Sequence, residues 1–228
     1  MEKIHGGQQI VEILKQEGVK YIFTLSGRSI TPLYDACLDA GIKMIDTRHE
    51  QAAAHMAEAW SLLTGEPGVC CFTCGPGFTD AITGVASAYM SCIPMLTICG
   101  RSPFTEFDKT GIQDLDQVGI IKPITKWQGQ ALEARRIAEF TSEAFRQMRS
   151  GRPGPVYLEV PFDLAFKQLE AESVEIPSDY RTEHRPAGDP AAVDETIGLL
   201  EKAEKPVIVA GSGVWWSQAC DELKEFVE

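Results

Sequence analysis

One acidic side chain of the sequence occurs directly between a predicted strand and a predicted helix, where loops often carry function. Glu50 follows the segment 46–49, Asp-Thr-Arg-His, and precedes three alanines at 52–54. A carboxylate in this position could accept or donate a proton, and the small alanines would let a ligand or a neighbouring helix approach the backbone. The alternative is structural, since an acidic residue in the first turn of a helix complements the helix dipole.

A glycine-rich turn, Gly75-Pro76-Gly77, occurs between the next predicted strand and helix. Glycine permits positive φ and close contact between backbone and ligand. The same residues would also form an ordinary tight turn, so this motif alone does not indicate a site. The loops 26–29 and 100–113 should reach the same edge of the sheet, because ligands in open parallel sheets bind beyond the carboxyl ends of the strands.

The elements that must position these loops alternate between short apolar segments and helical patterns. This alternation is typical of an α/β fold with a parallel sheet covered by helices on both faces. The predicted strands are 21–25, 42–46, 69–73, 95–99 and 156–160, and the predicted helices are 8–17, 32–40, 50–63, 79–90 and 132–149. The segment after strand 95–99 is expected to be irregular.

A polar segment over residues 166–189, which includes Glu183, predicts a linker. The alternation then restarts with a helix over 190–202, a strand over 206–210 and a helix from about Trp215. One strand and two helices cannot bury a core alone. We therefore predict a first domain over 1–165 and the beginning of an incomplete second α/β domain over 190–228.

Composition and charge exclude several classes of function. The formal net charge of −12 argues against nucleic acid as a partner. The N-terminus lacks the pattern of a signal peptide, and the segment 84–100 is too polar to span a membrane, so a cytoplasmic protein without a membrane partner is expected. The seven cysteines are an odd number without secretory context, which favours reduced thiols.

Known metal, nucleophile and dinucleotide motifs are incomplete in this sequence. Cys70, Cys71 and Cys74 lack a second ligand pair, so we interpret them as core residues and predict no metal site in the chain. His49 and His55 are six positions apart and cannot share a metal from one helix face. The segment 27–31 lacks the second glycine of a nucleophile elbow, and 211–216 lacks the third glycine of a dinucleotide fingerprint.

Several segments, taken in order, resemble the acetolactate synthase-like family of thiamin-diphosphate-dependent enzymes. They are 46–54 with its Arg-His-Glu, 64–69, the Gly-Pro-Gly at 75–77, 113–118, 122–127, 154–161 and 205–211. The resemblance covers essentially the whole chain. The members of the family that the sequence resembles most are acetolactate synthase, 2-hydroxyacyl-CoA lyase, oxalyl-CoA decarboxylase and benzaldehyde lyase, so the resemblance does not identify the substrate.

The resemblance implies the pyrimidine-binding fold and specific roles for residues. Glu50 would hydrogen-bond the N1′ nitrogen of the cofactor's aminopyrimidine and promote loss of the C2 proton, after which the thiazolium serves as an electron sink for cleavage of a C–C bond next to a carbonyl. Gln113 would reach the reacting centre, and Ser29 would face a 2-oxo acid or acyl donor. The residues lining the pyrimidine pocket would be Ser26, Gly27, Thr73, Gly75 and Pro76.

The resemblance also implies groups that this chain does not supply. The family binds the diphosphate and Mg²⁺ through a C-terminal domain with a Gly-Asp-Gly motif, and no such motif occurs in the chain. A homodimer or tetramer is expected, because the pyrimidine-binding domain of one subunit faces the diphosphate-binding domain of another. Two departures are Asp80, where relatives commonly carry asparagine, and the loop Ser26-Gly27-Arg28-Ser29, where they often carry proline, glycine or histidine.

Three other interpretations of the sequence stay open at this point. The chain could be a truncated or paralogous non-catalytic module that keeps the fold and acts through protein contacts. It could be one chain of a two-subunit decarboxylase, although the segment 190–228 argues against that. A nucleotide-binding Rossmann protein is the least favoured, since no complete glycine fingerprint occurs.

Overall fold

The structure, a computed structural model, describes residues 2–182, 184 and 186–228. Met1 and two residues of the predicted linker, Glu183 and Arg185, lie outside the described residues. The chain divides into two compact units, Met1–Tyr180 and Arg181–Glu228.

The first unit contains a six-stranded sheet in which every neighbouring pair is parallel, which confirms the predicted α/β class. The strands are β1 (Lys3–Ile4), β2 (Tyr21–Thr24), β3 (Lys43–Asp46), β4 (Gly68–Phe72), β5 (Met95–Arg101), β6 (Trp127–Gln130), β7 (Val156–Pro161) and β8 (Leu169–Glu170). The order in the large sheet is β3-β2-β4-β5-β7-β6, while β1 and β8 form a separate antiparallel pair.

Helices cover both faces of this sheet. Those of the first unit are α1 (Gly6–Gln16), α2 (Thr31–Ala40), α3 (Glu50–Thr64), α4 (Pro76–Met90), α5 (Gln117–Ile121), α6 (Ile137–Arg149) and α7 (Phe162–Phe166). Helices α1, α2 and α6 share one apolar core with Val69 and Cys71 of β4. The side chain of Cys70 points to the opposite face, since successive residues of a strand alternate, and α3 and α4 pack against each other on that face.

Small residues allow α3 and α4 to lie unusually close together. A Cβ added to Gly84 of α4 would lie 2.5 Å from the Cβ of Ala54, and one added to Gly68 of β4 would lie 2.0 Å from the carbonyl oxygen of Ala57. Ala54 and Ala57 are completely buried. The alanines that follow Glu50 therefore serve the approach of a helix and a strand.

One strand of the first unit was not predicted. Residues 127–130 form β6, although no strand was predicted between 95–99 and 156–160; the strand lies at the sheet edge, where its polar Gln128 and Gln130 are only partly buried. The segment 166–180, predicted as linker, belongs to the first unit. Two contacts join this segment to the first unit. β8 pairs with β1, and the hydroxyl of Tyr180 donates to Oε1 of Glu17 at 2.7 Å.

The second unit contains α8 (Pro190–Leu200), α9 (Ser212–Trp216) and α10 (Cys220–Val227). The strand predicted over 206–210 is absent from the described residues, and Val207 and Val209 are 87% and 90% exposed. An isolated strand has no partner for its backbone groups, so its apolar sequence is insufficient to order it. The limits 1–165, 166–189 and 190–228 remain predictions as domain boundaries.

All seven cysteines are free thiols, as expected for reduced residues. Cys70 and Cys71 are fully buried in β4, and Cys74 is buried just after it, which confirms the interpretation as core residues. Burial raises the pKa of Cys70 to about 12, and it also raises the pKa of Cys71.

Candidate active site

Glu50 lies at the first position of α3 and is 8% exposed. The helix starts here because His49 is extended and its Nδ1 accepts a hydrogen bond from the backbone N–H of Gln51 at 3.2 Å. No donor among the described residues hydrogen-bonds the Glu50 carboxylate. A carboxylate that is nearly buried yet lacks a donor is available to a group supplied from outside the chain.

Glycines shape the space beside this carboxylate. A Cβ added to Gly77 would lie 3.0 Å from Oε1 of Glu50 and 2.7 Å from Cγ2 of Thr73. A Cβ added to Gly27 would lie 2.3 Å from the Cβ of Thr73. The predicted pocket residues Gly27, Thr73 and Glu50 are therefore brought together, with Gly77 as an additional close neighbour.

The turn at Gly75 requires glycine for two independent reasons. Its φ is +65°, which L side chains rarely adopt, and an added Cβ would lie 2.8 Å from the Cβ of Gln113. This turn therefore holds the Gly-Pro-Gly loop directly against the loop that carries Gln113. Two other predicted pocket residues are exposed: Ser26 in the loop that follows β2, and Pro76 at the first position of α4.

Ser29 connects the loop after β2 to the residues that follow β4. Its Oγ lies 2.9 Å from Oγ1 of Thr73, and it accepts a hydrogen bond from the backbone N–H of Cys74 at 3.1 Å. Gly100 of β5 passes so close that an added Cβ would lie 2.2 Å from the same Oγ. Ser29 is thus buried and links the loop after β2 to the end of β4. It also lines a cleft beside Gln113.

A cleft of about 210 Å³ opens beside Ser29 and Gln113. Gln113 is exposed and has a φ of +62°, and its Oε1 lies 3.7 Å from the Sγ of Cys74. Both predicted substrate-facing residues therefore line one cavity. Its other lining residues are Arg28, Cys74, Arg101, Ser102, Pro103, Glu106, Ile112 and Phe162.

Gln117, which sequence reasoning missed, is the central polar residue beneath these loops. It is fully buried, and its Oε1 accepts the backbone N–H of Gly75 at 2.9 Å. Its Nε2 lies 3.0 Å from the carbonyl oxygen of Gly100 and 2.7 Å from Oε2 of Glu159. One side chain thus ties the Gly75 turn to the ends of β5 and β7.

Arg101 and Glu159 form a buried ion pair next to Gln117. Nη1 of Arg101 lies 3.0 Å from Oε1 of Glu159, and Glu159 is completely buried. Nε of Arg101 lies 3.4 Å from Oδ1 of Asp114. Burial lowers the pKa of Arg101, but the two carboxylates outweigh this and raise it above its ordinary value. The guanidinium also lies 4.1 Å from the ring centroid of Phe107.

Asp114 extends this network into the loop that carries Gln113. Its Oδ2 accepts the backbone N–H of Asp108 at 3.1 Å. Asp108, Thr110 and Gln113 all have positive φ, an uncommon conformation for residues with a side chain. The ion pair between Asp114 and Arg101 therefore anchors a strained loop to the sheet.

One group of possible metal ligands also occurs in the described part of the chain. Ligand atoms of His49, Glu50 and Asp80 lie within 4.8 Å of one another, and Nε2 of His49 is 4.0 Å from Oδ2 of Asp80. His49 and Asp80 are exposed. The carboxylate of Asp80 therefore lies close to that of Glu50.

No helix within the described residues is long and apolar enough to cross a membrane.

The sequence matches two families of known domains. Residues 4–120 match the N-terminal TPP binding domain of thiamine pyrophosphate enzymes, and residues 193–228 match the central domain of the same enzymes. The chain belongs to the thiamine pyrophosphate enzymes. The N-terminal match includes Glu50, Thr73, the Gly75 turn and Gln113.

Similar proteins in this family are acetolactate synthases. The chain is 38% identical over 227 residues to the acetolactate synthase large subunit of Lactococcus lactis, covering 98% of the chain and 39% of that protein. It is 35% identical to the acetolactate synthase large subunit of Mycobacterium tuberculosis over 232 residues, covering 100% of the chain and 41% of that protein. The chain thus spans about two fifths of the length of the curated relatives it matches.

Proposed function

We propose that this chain is the N-terminal part of an acetolactate synthase-like lyase or transferase that makes or breaks a C–C bond next to a carbonyl. The observation that carries the proposal is the Glu50 carboxylate, which is 8% exposed and lacks a hydrogen-bond donor among the described residues. Thr73 and Gly77 pack closely around it, since a Cβ added to Gly77 would lie 3.0 Å from Oε1 of Glu50 and 2.7 Å from Cγ2 of Thr73. The named relatives and the match to a TPP binding domain support the same activity.

The residues present fit the aminopyrimidine of thiamin diphosphate. A ring nitrogen that carries a proton needs an acceptor at its edge, and Glu50 would supply it. Gly27, Thr73 and Gly77, which pack closely together beside Glu50, would form one side of the pocket. Ser26, Gly75 and Pro76 complete the pocket in this proposal. When bound, the cofactor would supply an electron sink for the negative charge that develops on C–C cleavage.

Glu50 would share a proton with the N1′ nitrogen of that ring. Glu50 is nearly buried at the first position of α3 and has no hydrogen-bond donor among the described residues, so its carboxylate is free to accept a proton from the ring and return it.

Ser29 and Gln113 would contact the substrate, a 2-oxo acid or acyl donor. Both line the same cleft, and Gln113 reaches it from a loop anchored by Asp114 and Arg101. An amide side chain can donate to a carbonyl oxygen as charge develops there. Ser29 shapes the cleft floor through its contact with Thr73.

The remainder of the cofactor site would come from outside these 228 residues. In this proposal a C-terminal domain holds Mg²⁺ and the diphosphate, and the active site forms between subunits of a cytoplasmic homodimer or tetramer. The isolated chain would then be inactive. The family resemblance supports this arrangement, as does the absence of a Gly-Asp-Gly motif from the sequence.

Calorimetric titration of thiamin diphosphate with Mg²⁺ tests the proposal. The full-length enzyme carrying this chain at its N-terminus and the 228-residue chain alone are titrated side by side. We expect binding by the longer protein only. Micromolar binding by the isolated chain would contradict the divided site, and binding by neither would favour a non-catalytic module that acts through protein contacts.

A further inference from the structure

Arg28 is the uncommitted cation of the cleft beside Ser29 and Gln113. It lines this cleft of about 210 Å³ and is exposed. Its guanidinium carbon lies 5.0 Å from the ring centroid of Phe162, another lining residue. Within the described residues, no carboxylate oxygen lies within 4.0 Å of its guanidinium nitrogens.

The second arginine of the cleft is in the opposite situation. Arg101 is 6% exposed and is shared between Glu159 and Asp114 at 3.0 and 3.4 Å. Its charge is neutralised by groups that the fold itself supplies. An anionic ligand entering the cleft would therefore find its free positive charge at Arg28.

No described carboxylate forms an ion pair with Arg28, although the chain has a surplus of carboxylates. The chain carries 33 acidic and 21 basic residues, so carboxylates are abundant. One of them, Glu106, lines the same cleft but makes no ion pair with Arg28. Stacking on Phe162 instead holds the guanidinium plane in place and leaves its donors for a ligand.

We propose that Arg28 binds the carboxylate of an acceptor 2-oxo acid and so determines specificity for substrates that keep this group. The proposal rests on the proposed function. A guanidinium matches a carboxylate with two parallel N–H donors. Arg28 suits the acceptor because the carboxylate of the acceptor is kept in the product. A cation that held the donor's carboxylate tightly would instead oppose its loss as CO₂, since it would stabilise the ground state more than the transition state.

The test compares two acceptors in the full-length enzyme at one fixed donor concentration. The acceptors are 2-oxobutyrate and propanal, which differ by the carboxylate, so the donor's contribution cancels in the ratio of their kcat/KM values. We expect Arg28→Gln to lower the ratio of 2-oxobutyrate to propanal by about 10- to 100-fold, mainly through KM. Arg28→Lys should recover part of the ratio, since a point charge replaces the fork.

Arg135→Gln is the matched control, because it removes the same charge from an exposed arginine that does not line the cleft. Its ratio should equal that of the wild type. An unchanged ratio in Arg28→Gln would overturn the proposal. If the wild type shows no thiamin-diphosphate-dependent turnover of either acceptor, the proposed function itself fails.

Discussion

The two walls of the candidate site are built in different ways. The Glu50 wall, formed by Gly27, Glu50, Thr73 and Gly77, is held by close packing between secondary-structure elements. The Gln113 loop, residues 104–116, contains three non-glycine residues with positive φ and is held by the contacts of Asp114.

This difference separates two demands on the site. A group that shares a proton with the cofactor needs one fixed position, and backbone packing supplies it. A group that contacts the substrate can lie on a loop that is anchored by side-chain contacts. The walls should therefore respond differently to substitution.

Glu50→Gln should have the largest effect. Turnover by the full-length enzyme should fall by about 100- to 10,000-fold, because an amide cannot share the proton. The fold should persist, as checked by circular dichroism and thermal unfolding. Glu66→Gln, which removes an exposed carboxylate paired with Lys20, is the control and should keep normal turnover.

Gln117→Leu tests the junction beneath both walls. It leaves the N–H of Gly75 without its acceptor and removes a donor from the buried carboxylate of Glu159. We expect the free energy of unfolding to fall by about 2–3 kcal/mol in a urea titration. Gln147→Leu, which breaks a contact with Glu143 at the surface, should change it by less than about 0.5 kcal/mol. Equal losses of unfolding free energy in the two variants would show that the contacts of Gln117 contribute no more to stability than the contact of Gln147.

Asp114→Ala should loosen the Gln113 loop and leave the Glu50 wall intact. Cys74 lies against Gln113 and is 5% exposed, so it reports on this loop. We expect the alkylation rate of Cys74, followed by mass spectrometry of the peptides, to rise by about tenfold, which corresponds to a change of roughly 1.4 kcal/mol in the free energy of opening.

In a double-mutant cycle, Asp114→Ala should add little to the loss of turnover caused by Gln113→Ala. Additive losses would contradict anchoring through this loop.

The smallest effect is expected at the thiols of the core. Burial raises the pKa of Cys37 and Cys70 to about 12, so both stay protonated and unreactive at pH 8. Alkylation of the native chain at pH 8 should label the exposed Cys220 first and leave these two unlabelled. Asp114→Ala should not change this, and labelling of Cys70 in that variant would show that both walls move together.

Apolar periodicity was sufficient to predict most of the first unit. β2, β4, β5 and β7 are buried strands of apolar residues, and their neighbouring helices follow the expected alternation. The edge strand β6 escaped prediction because its Gln128, Gly129 and Gln130 are not typical of a buried strand. In contrast, 206–210 has the composition of a strand but lacks a partner in the described residues.

The candidate site could be predicted only where a motif pointed to it. Glu50 and Gly75 follow from local pattern and resemblance, whereas Arg101, Asp114 and Gln117 act through contacts distant in sequence. One signal was present: Glu159 is a charged residue inside an apolar strand, and a buried carboxylate requires a cation or donors. The identity of that cation depends on the neighbouring strand, which sequence spacing does not reveal.

Exchange of the cofactor's C2 proton for deuterium, measured by quenched-flow NMR, tests the role of Glu50 most directly. The full-length wild-type enzyme and Glu50→Gln are compared with thiamin diphosphate and Mg²⁺ bound to both. We expect the exchange rate to fall by at least about 100-fold in the variant, because the proton shared with N1′ is lost. A variant that binds the cofactor and retains most of the exchange rate would contradict this account.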